Sequence, residues 1–409
     1  MKSVPLKYVA SINAGQSPSS SDVDDLTNGL PFLQGNAEFG RQYPEPRFQC
    51  NAAPKRASAG DILLSVRAPV GELNISNQTV GIGRGLNAIT ARSCHPGFLW
   101  WWMHSQRKYL DAVSVGSTYR AVTAEDVAAL RFPVVELEEQ RRIADFLDAE
   151  TSRIDRLLAL RIRQRDLAEE RILGVIRYLA IGGRAATEPS GNTWIPEIPA
   201  NWQVLSLKRR WRIIDCKHRT PNYVPSGYPV VSPGDISEGR LDLSRCHRFV
   251  DLEDYEDLAD DLRRARRGDI VYSRNASVGT ASYVDTEAPF TMGQDVCRIT
   301  SDEQDQLYLT YVLNVVVKPQ LNSLQVGSTF TRVNIGTLLD LAVPCPPPQV
   351  QRSIAREMDS VTNNGDLLKS ALDRQMALLA ERRQALITAA VTGQFDVTTA
   401  SGRNTTQGV

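Results

Sequence analysis

Gly60-Asp61-Ile62-Leu63-Leu64-Ser65 is the stretch that shows how this chain is built, because it occurs again 208 residues later as Gly268-Asp269-Ile270-Val271-Tyr272-Ser273. A second pair of segments, Val115-Gly116-Ser117-Thr118-Tyr119 and Val326-Gly327-Ser328-Thr329-Phe330, is offset by 211 residues. The offset of 211 then holds without a gap as far as Gly182 and Gly393. Repetition at a fixed distance indicates a duplicated structural unit. We therefore expect two copies of one fold.

Each copy has two parts of different composition. The first part is rich in Gly, Pro, Ser and Asn and contains short β-type runs, at 61–65, 86–90, 269–273 and 296–300, which predicts a mixed α/β domain with long loops. The second part is a long, charged stretch without proline, typical of a helix. The fold class is therefore α+β with an internal repeat. The predicted boundaries are 1–137 for the first α/β domain, 138–182 for a central helix, 183–347 for the second α/β domain, 348–393 for a C-terminal helix and 394–409 for a disordered tail.

Both long helices carry interrupted heptad patterns. In the first helix the stripes fall at 147, 154, 161, 168 and 175 and at 150, 157, 164, 171 and 178, and in the second they fall 211 residues later. Such stripes favour pairing of the two helices with each other, and the alternative is two ordinary amphipathic helices, each packed on its own domain. The predicted packing residues are Leu147, Ile154, Leu157, Gln164, Leu368, Leu372, Gln375 and Leu379, and the two glutamines would set the register. Asn363-Asn364-Gly365 predicts a kink or break near the start of the second helix.

Composition excludes several classes of protein. Lys plus Arg balance Asp plus Glu at 47 each, so any nucleic acid would have to be bound by local patches. The six cysteines form no Cys-x-x-Cys pair, which favours free thiols in a reducing compartment. Neither a signal-peptide core nor an apolar run of about 18 residues is present in the sequence. We therefore expect a soluble, cytoplasmic protein.

The sequence lacks the common catalytic motifs. It has no phosphate-binding loop of the Gly-x-x-x-x-Gly-Lys-Ser/Thr type and no Asn/Asp-Pro-Pro-aromatic tetrapeptide of amino-methyltransferases. Gly81-Ile82-Gly83-Arg84-Gly85 is interpreted as a turn beside a strand. Cys216, His218, Cys246 and His247 could surround zinc, but their spacing is not that of a zinc site. The carboxylates at 251–261 and the arginines at 263–267 favour a solvated, self-compensating surface. We predict no catalytic residue and no bound metal.

The arrangement of these segments resembles the specificity subunit of a Type I restriction-modification enzyme. The resemblance covers nearly the whole chain. It rests on the two Gly-Ser-Thr-aromatic segments, each followed by a hinge, a Gln-Arg pair and a long helix, at Gln140-Arg141 and at Gln351-Arg352. Segments 215–223 and 29–36 also resemble openings of such recognition domains. The possible break at Gly365 is the one departure.

This resemblance implies two target-recognition domains separated by two antiparallel coiled-coil helices with pseudo-twofold symmetry. It implies a split target on double-stranded DNA, two methyltransferase subunits and two motor or endonuclease subunits as partners. S-adenosylmethionine, ATP and magnesium would be bound by those partners, and this chain would bind no cofactor. A helix over 138–180 would span about 64 Å, which is long enough to hold two readers more than one DNA turn, about 34 Å, apart.

DNA recognition requires phosphate anchors and readers of base edges, which are forked or amide side chains on loops. The candidate residues in the first domain are Gln34, Asn36, Lys55, Arg56, Arg67 and Asn87. Those in the second domain are Lys217, His218, Arg219, Thr220, Arg274, Asn275, Gln294 and Asp295. Two other functions stay open at this point, namely a helical adaptor without sequence-specific DNA binding and a single-chain modification enzyme.

Overall fold

The sequence repeat is matched by two structural units in the computed structural model, which describes residues 2–114, 121–275, 278–325 and 332–397, without the side chains at 324 and 325. One unit consists of Met1–Ile162 with Asp373–Val409, and the other of Arg163–Leu372. We call them unit 1 and unit 2. The segments 115–119 and 326–330 and the tail 398–409 lie outside the described residues, so the predictions on them stay predictions.

Unit 1 combines short strands with helices. Its strands are β1 (Ser3–Pro5), β2 (Ala10–Ala14), β3 (Asp24–Asp25), β4 (Pro31–Leu33), β5 (Phe48–Gln49), β6 (Arg56–Ala57), β7 (Ile62–Ser65), β8 (Leu73–Ile75), β9 (Val80–Ile82), β10 (Leu86–Ala91) and β11 (Arg131–Pro133). Its helices are α1 (Pro96–Val113), α2 (Ala124–Ala129), the first part of α3 (α3 is Leu137–Ala180) and the last part of α8 (α8 is Pro348–Val391), with 3-10 turns at Leu6–Tyr8 and Ser20–Asp22.

Unit 2 repeats this order with additions. Its strands are β12 (Thr187–Pro189), β13 (Glu197–Pro199), β14 (Gln203–Ser206), β15 (Arg212–Asp215), β16 (Tyr228–Val231), β17 (Gly239–Arg240), β18 (Phe249–Val250), β19 (Ile270–Ser273), β20 (Ala281–Tyr283), β21 (Thr291–Met292), β22 (Val296–Thr300) and β23 (Ala342–Cys345). Its helices are the last part of α3, then α4 (Leu252–Leu258), α5 (Gln306–Val315), α6 (Lys318–Gln325), α7 (Ile335–Asp340) and the first part of α8, with 3-10 turns at Leu207–Arg209, Pro233–Asp235 and Leu243–Arg245.

The central sheets of the two units have the same topology. The order β2-β10-β7-β8 in unit 1 corresponds to β15-β22-β19-β20 in unit 2, where β17 extends the sheet. In both units a parallel pair, β4 with β9 and β16 with β21, belongs to a second sheet. The four β-type runs expected from the sequence coincide with β7, β10, β19 and β22. The predicted mixed α/β domains are confirmed.

In each unit a helix of the domain packs on the sheet and on the long helices. In unit 1 the rings of Phe98 and Trp102 of α1 meet Phe132 edge to face, with centroids 5.6 and 4.9 Å apart. Leu147 of α3 and Ile387 of α8 are buried in the same core. In unit 2, Tyr308 of α5 and Met358 of α8 are fully buried, and burial of such side chains contributes about 1.5–3 kcal/mol each.

The Gln-Arg pair that opens each long helix has a structural role. Gln140 is buried, its Nε2 donates to the carbonyl of Val135 at 2.7 Å, and its Oε1 accepts from the backbone N–H of His95 at 2.8 Å. Gln351 repeats this with the carbonyl of Pro346 and the N–H of Asp305. Each glutamine thus ties the start of a long helix to the start of the helix that packs beside it.

The long helices pair in each unit. In unit 1, Arg383 forms an ion pair with Asp155 at 2.9 Å, and the rings of Phe395 and Phe146 lie 5.7 Å apart. A higher position in α3 thus meets a lower position in α8, which is antiparallel pairing. The helices also meet in unit 2, where the backbone of Gly365 in α8 lies against Ile172 of α3. The helices also pack on the α/β domains, so neither packs on its own domain alone.

Of the two predicted contact stripes on each long helix, the one that contains Leu147 and Leu372 is correct and the one that contains Leu157 and Leu368 is wrong. Leu147, Ile154 and Leu372 are buried and Leu379 is half-buried, but Leu157, Gln164, Leu368 and Gln375 are exposed. The second stripe runs one residue later than predicted, at 151, 158, 165, 172 and 179 in α3 and at 362, 369, 376, 383 and 390 in α8. Starting from Leu147, successive contact positions are therefore separated by four residues and then by three, whereas the prediction had three and then four. In α3 the observed stripe carries Ile172 and Leu179 where the predicted one carried Arg171 and Tyr178.

The expected break in the second helix is absent, because α8 is continuous through Gly365. Gly365 is buried, and a Cβ at this position would overlap the side chain of Ile172. The missing side chain therefore serves close approach of two helices. Within the described residues no helix is both long and apolar enough to cross a bilayer.

Replacing Gly365 with alanine tests this close approach. Gly174 of α3 is the matched control, because nothing lies within 4 Å of its Cβ position. We expect Gly174→Ala to stabilise unit 2 by about 1 kcal/mol through helix propensity. Gly365→Ala should lose that gain, because overpacking costs about 1–3 kcal/mol. Urea unfolding measures both changes, and an equal gain in the two variants would contradict the contact.

Candidate DNA-recognition loops

In unit 2 several of the predicted DNA-binding residues gather at one end of the central sheet. Asp215 at the end of β15 is opposite Cys297, and Ser273 at the end of β19 is opposite Val296 at the start of β22. Antiparallel neighbours place these strand ends on the same side of the sheet. The adjoining segments 216–222, 274–275 and 293–295 form what we call loop cluster 2.

Two predicted readers in loop cluster 2 contact each other. Gln294 and Thr220 are both exposed, and Nε2 of Gln294 donates to Oγ1 of Thr220 at 2.9 Å. The carbonyl oxygen of the Gln294 amide has no partner in the described contacts. An exposed amide with an acceptor to offer is suited to a base edge.

Asp295 and Asn275 have a supporting geometry. Asp295 adopts a left-handed φ of +65°, which Asp tolerates better than most residues. Its Oδ2 accepts from Nδ2 of Asn275 at 3.0 Å, and its Oδ1 meets Nε of Arg332 at 2.7 Å. Both carboxylate oxygens of Asp295 are therefore engaged within the chain.

Arg274 is not a base reader, which corrects the expectation from the sequence. Its side chain is only 3% exposed, and Nη2 donates to Oδ1 of Asp215 at 2.6 Å. Oδ2 of Asp215 lies 3.1 Å from Nε2 of the exposed His218. Because the guanidinium is directed inside the unit, Arg274 supports the loop from below and cannot reach a base.

Asp215, Cys216 and His218 form a close group of potential metal ligands, but contacts within the chain already engage them. Their potential ligand atoms lie within 4.8 Å of one another. However, His218 uses Nε2 toward Asp215 and Nδ1 toward the sulfur of Cys216, at 3.9 Å. A metal ion bound here would have to displace at least one of these two contacts of His218. Burial, aided by Asp215, raises the pKa of the Cys216 thiol, which disfavours the thiolate that zinc requires.

Lys217 and Arg219, expected to anchor phosphates, are ion-paired within unit 2. Lys217 contacts Asp257, and Arg219 contacts both Asp254 and Asp257. All three acidic contacts come from α4. The acidic run interpreted as a self-compensating surface therefore includes specific partners for this loop.

In unit 1 the equivalent sheet end is formed by Ala14, which is opposite Asn87, and by Ser65, which is opposite Leu86. Beside it lies an open groove with a volume of about 810 Å³. We call the segments 15–18, 34–36, 66–67 and 83–85 loop cluster 1. Gln34 lines the groove and is exposed, with Nε2 donating to Oγ of Ser17 at 3.1 Å. Asn36 is half-buried nearby, and Arg67 is exposed.

Lys55 and Arg56 are exposed at β6, as expected of phosphate anchors, and Nη2 of Arg56 donates to the carbonyl of Asn51 at 3.2 Å. Asn87 is the second correction. It lies in β10 between β2 and β7, its side chain is 2% exposed, and its Nδ2 has no hydrogen-bond partner. A side chain enclosed in the sheet cannot contact a base, so the prediction of a reader at this position is wrong.

Arg84 was missed in the sequence. It is exposed, lines the groove with Gln34, and lies two residues before Leu86, as Gln294 lies two residues before Val296. Leu86 and Val296 face the repeat-related serines of β7 and β19. Aligning the two repeats on these strands would have identified Arg84 as the counterpart of Gln294.

Substitution of Arg274 separates a supporting role from a reading role. Arg274→Met leaves Asp215 without its buried partner, and we expect a loss of about 2–4 kcal/mol in unfolding free energy, somewhat below the range for fully buried pairs. Arg67→Met, at an exposed position of loop cluster 1, should change stability by less than about 0.5 kcal/mol. Chemical denaturation measures both. An Arg274→Met protein of unchanged stability that fails to distinguish DNA sequences would restore the reader interpretation.

Comparison with known proteins agrees with this geometry. The model of the Type I restriction modification DNA specificity domain matches residues 1–163 and 209–375. Two relatives come from Methanocaldococcus jannaschii. The putative type I restriction enzyme MjaX specificity subunit is 35% identical over 170 residues, or 41% of this chain and 39% of that protein. The type I restriction enzyme MjaVIII specificity subunit is 23% identical over 275 residues, or 65% and 63%. The matches thus span less than two thirds of these relatives.

Two solved structures share the fold. A chain from the structure that describes "complex assembly and conformational transition of the type I R-M system" has a TM-score of 0.76 at 19% identity, with 96% of this chain and 98% of that chain covered. The HsdS subunit from Thermoanaerobacter tengcongensis has a TM-score of 0.54 at 18% identity, with 96% and 97% covered. Since the family model covers most of its length, this chain belongs to the family of Type I restriction-modification DNA specificity subunits.

Proposed function

We propose that this chain is a non-catalytic subunit that recognises a bipartite DNA target, one half-site per unit, and directs methyltransferase and restriction subunits to it. The observation that carries the proposal is the duplicated sheet end. Two copies of one fold present loops at the same place, with polar side chains that differ between the copies. A repeated frame with variable loops suits a protein that reads two separate short sequences.

The exposed side chains support a difference between the two half-sites. Arg84 in loop cluster 1 occupies the repeat position of Gln294 in loop cluster 2, and both side chains are exposed. Arginine pairs with the O6 and N7 edge of guanine, whereas glutamine and asparagine pair with adenine. We therefore expect an asymmetric target. Lys55 and Arg56 are suited to phosphate contacts, which add affinity without sequence information.

The absent catalytic motifs support a division of labour. Methyl transfer, ATP-driven movement and cleavage are assigned to partner subunits, which would bind S-adenosylmethionine, ATP and magnesium. Methyl transfer by the purified chain without partners would contradict this and favour a single-chain modification enzyme.

The long helices offer surface for protein partners. Leu160 and Leu378 in unit 1 are 62% and 64% exposed, and Leu167 and Leu367 in unit 2 are 52% and 70% exposed. Large apolar side chains exposed on a helix are suited to contact with a protein partner. Two methyltransferase subunits are the proposed occupants, with motor or endonuclease subunits added to them. A helical adaptor would use the same surface, so DNA binding is what separates the two functions.

The proposal is tested by reconstituting the chain with its methyltransferase and measuring binding to the methylated target and to a scrambled duplex at several salt concentrations. A specificity subunit should prefer the target by about 10³-fold or more, with affinity falling steeply as salt rises. Equal binding to both duplexes, or no binding, would leave the adaptor function.

Reader substitutions should act on one half-site each. We expect Gln294→Ala to relax discrimination at one base of one half-site by about 1–3 kcal/mol, and Arg84→Ala to do so in the other half-site. Lys55→Gln is the control, because losing a phosphate contact weakens binding to all sequences alike. Methylation mapping in cells shows which positions relax. Relaxation of both half-sites by one substitution would contradict one half-site per unit.

The length of the long helices should set the unread spacer. α3 and α8 each run from one unit into the other. Inserting seven residues into both helices, after Ile162 and after Leu372, keeps the heptad phase and adds about 10 Å. We expect a spacer about three base pairs longer with both half-sites unchanged. Methylation at the original spacing would show that helix length does not set the spacer.

A further inference from the structure

The loop that carries Thr220 is bound to α4 by several separate contacts. Lys217 binds the Asp257 carboxylate, and its Nζ lies 3.3 Å from the Asp257 carbonyl. Arg219 binds Asp254, and its Nε lies 3.1 Å from Oδ2 of Asp257. The two cations of the loop therefore meet two carboxylates one helical turn apart.

The same helix also binds the loop backbone. Oδ2 of Asp254 accepts from the N–H of Asn222 at 2.9 Å, and the Asp254 side chain is only 10% exposed. At the other end of the loop, Asp215 accepts from the N–H of Cys216 at 2.9 Å and is paired with Arg274. Segment 216–222 is thus held at both ends, with Thr220 between them.

α4 itself is anchored in unit 2. Asp251 caps its first turn by accepting from the N–H of Asp254 at 2.9 Å. The Tyr255 ring stacks on Tyr228 of β16, with centroids 4.3 Å apart and an angle of 13° between planes. The carboxylates that meet the loop are therefore on a fixed element.

The charges of this contact are balanced. A hydrogen bond from Lys217 lowers the pKa of Asp257 from its ordinary value, so the carboxylate is ionised at neutral pH. A cation already bound to a carboxylate gains less from a phosphate, because it must first break the existing pair.

Resting on the proposed function, we propose that Asp254 and Asp257 are positioning residues for the second half-site. With Lys217 and Arg219 they form an ionic clamp that orients Thr220 and Gln294 toward the bases and keeps the two cations from binding phosphate non-specifically. Lys217 and Arg219 are then loop supports, in contrast to Lys55 and Arg56, which are exposed and form no ion pair with a carboxylate among the described residues.

The test uses the reconstituted complex and four variants: Lys217→Gln, Asp257→Asn, the double variant, and Glu256→Gln as control. Glu256 is exposed on the same short helix, so its substitution makes the same charge change without touching the loop. Binding is measured to the target duplex, to duplexes altered in either half-site, and to a scrambled duplex, over a range of salt.

Asp257→Asn removes the carboxylate partner of Lys217 and leaves Arg219 paired with Asp254. We expect its affinity for scrambled DNA to rise about two- to fivefold above that of Glu256→Gln, with discrimination reduced at one half-site only. The double variant should lose the gain on scrambled DNA, because the freed lysine is gone. Lys217→Gln should reduce discrimination at that half-site and leave the salt dependence unchanged.

Three results would overturn the clamp. A decrease of about one unit in the salt slope for Lys217→Gln would identify Lys217 as a phosphate anchor. Equal behaviour of Asp257→Asn and Glu256→Gln would reduce the effect to net charge. Equal loss at both half-sites would indicate general unfolding. A wild-type complex that does not distinguish target from scrambled DNA would refute the proposed function itself, a separate outcome.

Discussion

Neither long helix can bury its apolar stripe alone, and the rest of the structure depends on how that stripe is covered. Each unit combines one α/β domain with one part of α3 and one part of α8, so both helices contribute to both hydrophobic cores. Because the sequence is duplicated and the helices are antiparallel, the contacts that cover the helices in one unit can be repeated in the other. Buried Gln140 and Gln351 fix each helix start against α1 or α5. An incorrectly placed helix would leave buried N–H and C=O groups unpaired.

The loop-bearing ends of the two central sheets have the same strand order, but the side chains beneath the loops differ. Under loop cluster 2 lies the ion pair of Arg274 with Asp215, whereas the repeat positions in unit 1 are Val66 and Ala14. Apolar side chains beneath a loop can pack in several ways, whereas a buried ion pair requires defined geometry to offset its desolvation. Unit 2 continues this ionic support through α4 to Lys217 and Arg219. Recognition loops on one fold can therefore be stabilised in chemically different ways.

Errors in the sequence-based expectations had definite physical causes. One predicted contact stripe was placed one residue too early on each helix. Three-four and four-three spacings differ by a single residue, and polar side chains interrupt the apolar stripes of both helices. Gly365 was expected to break α8, because helix propensity describes an isolated helix and not one that another helix approaches closely. Asn87 and Arg274 have the chemistry of base readers, but strand pairing and an ion pair turn them inward.

The sequence by itself determined the duplication, the α/β class of each domain, the positions of four central strands and the two long helices, because repeats and periodic burial are local properties of the chain. It also identified the segments that carry the candidate readers. Only the tertiary structure decided which of those side chains face solvent, and which are held by partners far away in sequence, such as Asp254 and Asp257 for Arg219. Exposure and pairing depend on long-range packing, and no local pattern encodes the acidic helix that lies beside a basic loop.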